Sequence, residues 1–255
     1  MPGLGSCPPD PTFPWARCAC GAPMRSDGLG CTGAPRHPVT APTVQVYATW
    51  TGTRVNLTAM HTGGLRLIAG PDQLHRYGPT ALPPLAWALD NGAWSAHRAG
   101  RPFNGEQFLQ ALLRWGHDAD WVVLPDVVAG GLPSLVLSLQ WRPQVAKVAR
   151  LMLLPVQDGM EASDVAPHVG PGCGIFVGGS TEWKWRTLPT WGALAARAGA
   201  YLHVGRVNSA RGIRKCAEVG AHSCDGTSAT TYSVNAAPLA QASRELARPM
   251  LGLWK

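Results

Sequence analysis

The chain has 255 residues, 45% of them hydrophobic, and its mean hydropathy is close to zero. This excludes wholesale disorder and allows one α/β barrel or two small domains, while no apolar run reaches the roughly 20 residues of a membrane span. A formal charge of +7 and 11 tryptophans suit a polyanionic partner, because Lys and Arg displace counterions from phosphates and aromatic faces stack on unpaired bases.

Residues 1–42 form a first region, with Cys7, Cys18, Cys20 and Cys31 set among many Pro and Gly and no periodic apolar pattern. Such a segment cannot bury enough surface to order itself. It has no apolar core segment, so it does not read as a signal peptide, and a cytoplasmic location is expected.

Residues 43–255 form the second region, in which strand and helix patterns alternate. TVQVYAT (43–49) is a β-branched run, and TRVNLTAM (53–60) is expected to be a second strand. LAWALD (85–90) is a third strand, followed by a helix over 104–116 with Phe108, Leu109, Leu112 and Leu113 at helical spacing. After the strand WVVLPD (121–126), residues 131–149 read as helical, limited by Pro133 and Pro143. RLMLLPVQ (150–157), GIFVGG (174–179), AYLHVG (200–205) and AHSCDG (221–226) are further strands. Helices are expected near 187–198 and 208–219, and a closing helix over 235–248. Seven or eight strands in this rhythm imply a parallel sheet and favour a TIM-like (β/α)8 barrel over an open Rossmann sheet.

Five of these runs end in residues suited to a purine: Asp90, Asp126, Gln157, the pair Gly178 and Gly179, and Asp225. In a parallel barrel the C-terminal strand ends share one active-site face, so these groups converge. A carboxylate accepts from the N1–H and exocyclic amine of guanine, and an amide NH2 or a glycine N–H donates to O6. Adenine presents the reverse edge. Cys173, Cys216 and Cys224 read as buried small residues, with Cys224 turned away from Asp225 into the barrel wall.

The ordered set DNG, PDVV, VQDG, VGG and HVGRVNSARGIRKCAEVGAHSCDG resembles the guanine transglycosylases over roughly residues 85–230. These are the queuine tRNA-ribosyltransferases and the relatives that insert 7-deazaguanines into DNA. GGSTEWKW and HVGRVNSARG look most like the DNA-modifying branch, found in viral and bacterial systems; a viral chain would work in its host's cytoplasm. The resemblance implies a DNA-guanine transglycosylase that exchanges guanine for a 7-deazaguanine such as preQ0. It makes Asp225 the nucleophile that forms a glycosyl-aspartate, and Asp90 the acid and base for the departing and entering bases. Asp126 and Gln157, with Gly178 and Gly179, become the base readers. Arg206 is expected to hold a phosphate beside the target nucleotide. His203 either lines the sugar pocket or is structural. Lys184, between two tryptophans, is either a strand-binding edge or one exposed lysine of a packed loop.

The tRNA enzymes carry a Cys-x-Cys-x-x-Cys and His zinc site after the nucleophile, and no Cys or His follows Asp225 here. That departure favours DNA over tRNA. Cys7, Cys18, Cys20 and Cys31, spaced C-x10-C-x-C-x10-C with His37 nearby, are either a substitute structural zinc site or a reduced tail. No redox cofactor or nucleoside triphosphate is expected, since no phosphate-loop or dinucleotide fingerprint is present. The rival readings are the same exchange on tRNA, a catalytically silent nucleic-acid-binding relative, and a hydrolase that leaves an abasic site.

Overall fold

The computed structural model describes residues 44–51, 53–78 and 86–246. Within them eight parallel strands close into a barrel in chain order, the last pairing with the first. They are β1 (Gln45–Thr49), β2 (Arg66–Ala69), β3 (Trp87–Leu89), β4 (Val122–Val123), β5 (Met152–Val156), β6 (Cys173–Val177), β7 (Leu202–Val204) and β8 (Ser223–Gly226). The fold is the expected TIM-like (β/α)8 barrel. The Cys-rich N-terminal segment and the zinc site expected of Cys7, Cys18, Cys20 and Cys31 lie outside the described residues.

Helices fill the connections. The main ones are α1 (Arg54–Gly63), α2 (Pro71–Tyr77), α3 (Ala93–Arg98), α4 (Gly105–Trp115) and α5 (Leu132–Val145), then α6 (Ala162–Val165), α7 (Thr181–Ala198), α8 (Ala210–Glu218), α9 (Ser228–Thr231) and α10 (Ala236–Leu246). The sequence predicts a strand over 53–60, and the structure corrects it to α1. Val55 there is 67% exposed, whereas Asn56 and Met60, four residues apart, are buried. That is the spacing of one helical face, not strand alternation. The second strand is instead RLIA at Arg66–Ala69. Pro133 is accommodated in the first turn of α5, where the missing N–H breaks no helical bond.

Strand alternation divides the core in two. On β1, Tyr47 points into the barrel while Val46 and Ala48 pack outward against the helices. On β8, Cys224 packs outward and is fully buried, as the sequence suggests, which leaves Ser223 and Asp225 facing inward. Tyr47, Ile68, Ala88, Trp121, Val123 and Leu153 fill the interior, with Phe176 and Tyr201 against them. The barrel is therefore packed and not a pore. Helix α10 closes the molecule against α1 and α8, and Ser243 Oγ donates to Val44 O at 2.7 Å. Among the described residues no helix is long and apolar enough to cross a membrane.

Candidate active site

Parallel strands in one barrel deliver their C-terminal ends to one face. Asp90 follows β3, Asp126 follows β4, Gln157 follows β5, and Gly178 and Gly179 follow β6. Arg206 follows β7, and Asp225 sits within β8 in register with Tyr47 of β1. Every described residue that the sequence predicts for the site, apart from Lys184, thus sits at or just beyond this rim or faces the interior beneath it.

There Asp90 feels the charges of two other carboxyls, Asp225 and Asp126. Burial, then the charge of Asp225, pushes Asp90 up to about 7, against a 3.2 Å hydrogen bond from Gly92 N–H. Burial also pushes Asp126 up to about 6, opposed by Asn91. Asn91 ties the two strand ends together. Its Nδ2 donates to Leu124 O and to Asp126 Oδ1, both at 2.8 Å, and its Oδ1 accepts from Ala93 N–H at 2.8 Å. Sequence reasoning treated Asn91 only as part of a motif. Its role depends on β4, some thirty residues on, and no local signal shows that.

Asp225 is nearly buried. Its Oδ1 lies 2.9 Å from His203 Nε2, and its side chain is 11% exposed. Oδ2 has no hydrogen-bond partner among the described residues. His203 itself is fully buried, enclosed by Phe176 and Trp121 with ring centroids 4.7 and 4.6 Å away. It touches the Asp225 carboxylate from inside the barrel. Gly226 lets the loop after β7 lie over β8, because a Cβ there would stand 2.5 Å from Val207 O.

The groups that the sequence suggests for base reading are partly committed within the protein. Gln157 Nε2 donates to Val127 O at 2.9 Å and Ser134 Oγ at 2.6 Å, so both amide protons are used. Gly178 N–H bonds Val156 O at 2.9 Å. Gly179, with φ of 69°, has no recorded partner for its N–H among the described residues. A side chain there would meet Trp183 and Asp158 at 2.6 and 2.7 Å. Burial opposes the Asp158 charge, but two 2.6 Å hydrogen bonds from Ser180 hold its carboxyl below the ordinary value and fix the turn into α7.

Lys184 differs from its sequence reading in place and exposure. It lies within α7, which begins six residues earlier than predicted, and it is 1% exposed. Its Nζ donates to Gly205 O at 2.6 Å and Arg206 O at 3.3 Å, and lies 5.1 Å from the Trp185 ring centroid. Burial, followed by the Arg206 charge, brings it down to about 8. Lys184 is therefore no strand-binding edge: it anchors the loop that carries Arg206.

Arg206 has a left-handed φ of 57° and donates through Nη2 to Gly179 O. Its guanidinium also lies over Trp94, 5.0 Å from the ring centroid. Trp94, on α3 after β3, is 44% exposed and was missed by sequence reasoning. Since β3 and β7 stand opposite each other in the closed eight-strand order, this contact spans the mouth. A cavity of about 280 Å³ lies between α2, α3 and the start of α4; Asn91 and Gly92 line it, and Asp90, Asp126, Gln157, Arg206 and Asp225 do not.

One carboxylate with an open oxygen, a second carboxyl poised near neutrality and a third fixed by an amide can together carry nucleophilic and acid–base chemistry. The barrel is a fold that commonly hosts enzymes, though fold alone names no reaction. In comparisons with known proteins, no family model matches the chain and no curated protein matches it.

Proposed function

We propose that this protein is a DNA-guanine transglycosylase, a pentosyltransferase that exchanges guanine in DNA for a 7-deazaguanine such as preQ0. The observation that carries the reading is the pairing of Asp225, one oxygen held by His203 and the other open, with Asp90 poised at about 7 within reach of its charge.

The target nucleotide is unstacked, because the anomeric carbon is inaccessible within a duplex. Asp225 Oδ2 attacks C1′ and forms a glycosyl ester as the C1′–N9 bond breaks, and Asp90 supplies the proton that lets guanine leave. Asp90, now ionised, takes the proton from the pyrrole nitrogen of the incoming 7-deazaguanine. That nitrogen attacks C1′ and releases Asp225 as a carboxylate. Protons and charges balance over the cycle, so no redox partner or nucleotide cofactor is needed.

Asp126 accepts from the N1–H and amine edge, and the Gly179 N–H is the open donor for O6. Gln157 supports this edge by holding the loop after β4. The Trp94 face offers a stacking surface once the Arg206 guanidinium shifts toward a phosphate. DNA is preferred over tRNA because GGSTEWKW and HVGRVNSARG resemble the DNA-modifying branch. A silent binding relative would have no use for a carboxyl held near neutrality beside an open carboxylate.

The reading is tested with radiolabelled guanine and two polymers. Label should enter double- or single-stranded DNA and not tRNA. Label in tRNA alone would transfer the activity to the other polymer, and label in neither would remove the reading.

A further inference from the structure

The cavity between α2, α3 and the start of α4 has no part in the proposed chemistry, yet it adjoins Asp90. Gly70 and Gly92 are both in its wall. Gly92 N–H lies 3.2 Å from Asp90 Oδ2, and a Cβ on Gly70 would stand 3.9 Å from that same oxygen. A group that fills the cavity is therefore the neighbour of one that meets Asp90.

The lining combines cations with aromatic faces. Arg76 and Arg101 are both exposed. Arg76 lies 5.9 Å from the Tyr77 ring centroid and has no carboxylate partner among the described residues. Arg101 meets Asp72 at 3.4 Å, but the two side chains are 61% and 52% exposed, and such a pair holds weakly in water. Asp72 also accepts from Gln107 Nε2 at 2.8 Å, so it keeps a partner when Arg101 turns to another anion. Tyr77 is 44% exposed and stacks on the buried Trp50 with ring centroids 5.6 Å apart, which steadies the ring and leaves part of it open. Phe103 adds a second aromatic wall, packed against Phe108 and Trp141. Guanidinium groups suit a phosphate, and aromatic faces suit an unpaired base.

Charge around the rim favours the same side. Strands β5 and β6 lead into Asp158, Glu161 and Glu182, whereas β2, β3 and β7 lead into Arg76, Arg98, Arg101 and Arg206, against Asp72 and Asp90. A polyanionic strand is drawn to the basic side and repelled from the other.

We infer that this cavity is the subsite for the nucleotide next to the target in a single-stranded stretch of DNA, its phosphate held by Arg76 and Arg101 and its base set against Tyr77 and Phe103. The placement rests on the transglycosylase reading, in which Asp90 meets the target base.

The test is fluorescence anisotropy with a labelled single-stranded DNA oligonucleotide containing guanine, titrated at several salt concentrations. Arg76→Gln and Arg101→Gln should each weaken binding and lower the slope of log affinity against log salt by about 0.7, the loss of one single-strand phosphate contact. Ser95→Trp, which fills the cavity from its wall and keeps both arginines, should also weaken binding. Arg197→Gln removes the same charge from the last turn of α7, at the other end of the barrel, and should bind as the wild type does. All four side chains are exposed, so each variant should keep the wild-type melting temperature. Wild-type affinity in Arg76→Gln and Arg101→Gln, or losses no greater than in Arg197→Gln, would overturn the proposal. A free deoxynucleoside monophosphate that binds as tightly as the oligonucleotide would also overturn it, and so would tighter binding of RNA of the same sequence. Binding does not require base exchange. If both arginines matter and no exchange occurs, the transglycosylase reading fails and the subsite stands; if exchange proceeds in both variants with the wild-type KM for DNA, the subsite fails and that reading stands.

Discussion

Asp225 and Asp90 differ less in chemistry than in surroundings. Both are aspartates at strand ends, yet one keeps a His203 hydrogen bond and an open oxygen, while burial beside that charge pushes the other up to about 7. Replacing Asp225 with Asn removes the proposed nucleophile but keeps size and polarity. Base exchange should fall by at least about 10³-fold while DNA binding changes little, read by single-turnover assay and fluorescence anisotropy. In the proposed reaction Asp90 must be protonated for guanine to leave. Its acid form is populated below about 7 and is lost as pH rises through that value, so single-turnover guanine release should decline on the alkaline side. In Asp90→Asn that decline should vanish from a much lower plateau, and a decline that persists would assign the titration to another group. These carboxylates were legible because each ends an apolar run. Asn91, Ser134 and Trp94 were not, because each acquires its role from a partner on another strand or loop: Asp126, Gln157 and Arg206 respectively.

At the scale of elements, most strands and the long helices could be read from periodicity, since a parallel strand buried on both faces leaves an unbroken apolar run. The reading failed at residues 53–60, where Val55 and Thr58 suggest a strand but burial follows Asn56 and Met60 along a helix. The true β2 is four residues long, too short to stand out. Helix α7 was placed too late because Pro189 stands inside it, while Ser180 caps it upstream by accepting from Trp183 N–H. That shift buries Lys184 and turns a surface cation into an internal anchor. Its amine sits at about 8 when folded against an ordinary 10.5, so the unfolded chain binds the extra proton between those values. Stability should therefore rise with pH across that window in the wild type relative to Lys184→Met, measured as the difference in urea midpoints. Equal midpoint profiles for the two proteins would argue against the anchor.

For the whole molecule, alternating strands and helices pointed to the barrel, and the closed order β1 to β8 is what forms. Closure decides the chemistry, because it brings residues from 90 to 225 onto one rim and places Arg206 across the mouth from Trp94. The net charge of +7 suits a polyanionic polymer, and the three carboxyls suit a base drawn into the mouth. The claim that unites these scales is base exchange on DNA. It is tested most directly by incubating the protein with guanine-containing DNA and labelled preQ0, then measuring released guanine and incorporated label by mass spectrometry of the digested nucleosides. The two amounts should be equal throughout the reaction. Guanine released without uptake would mean hydrolysis, and DNA containing only its original nucleosides with no free guanine would contradict the account outright.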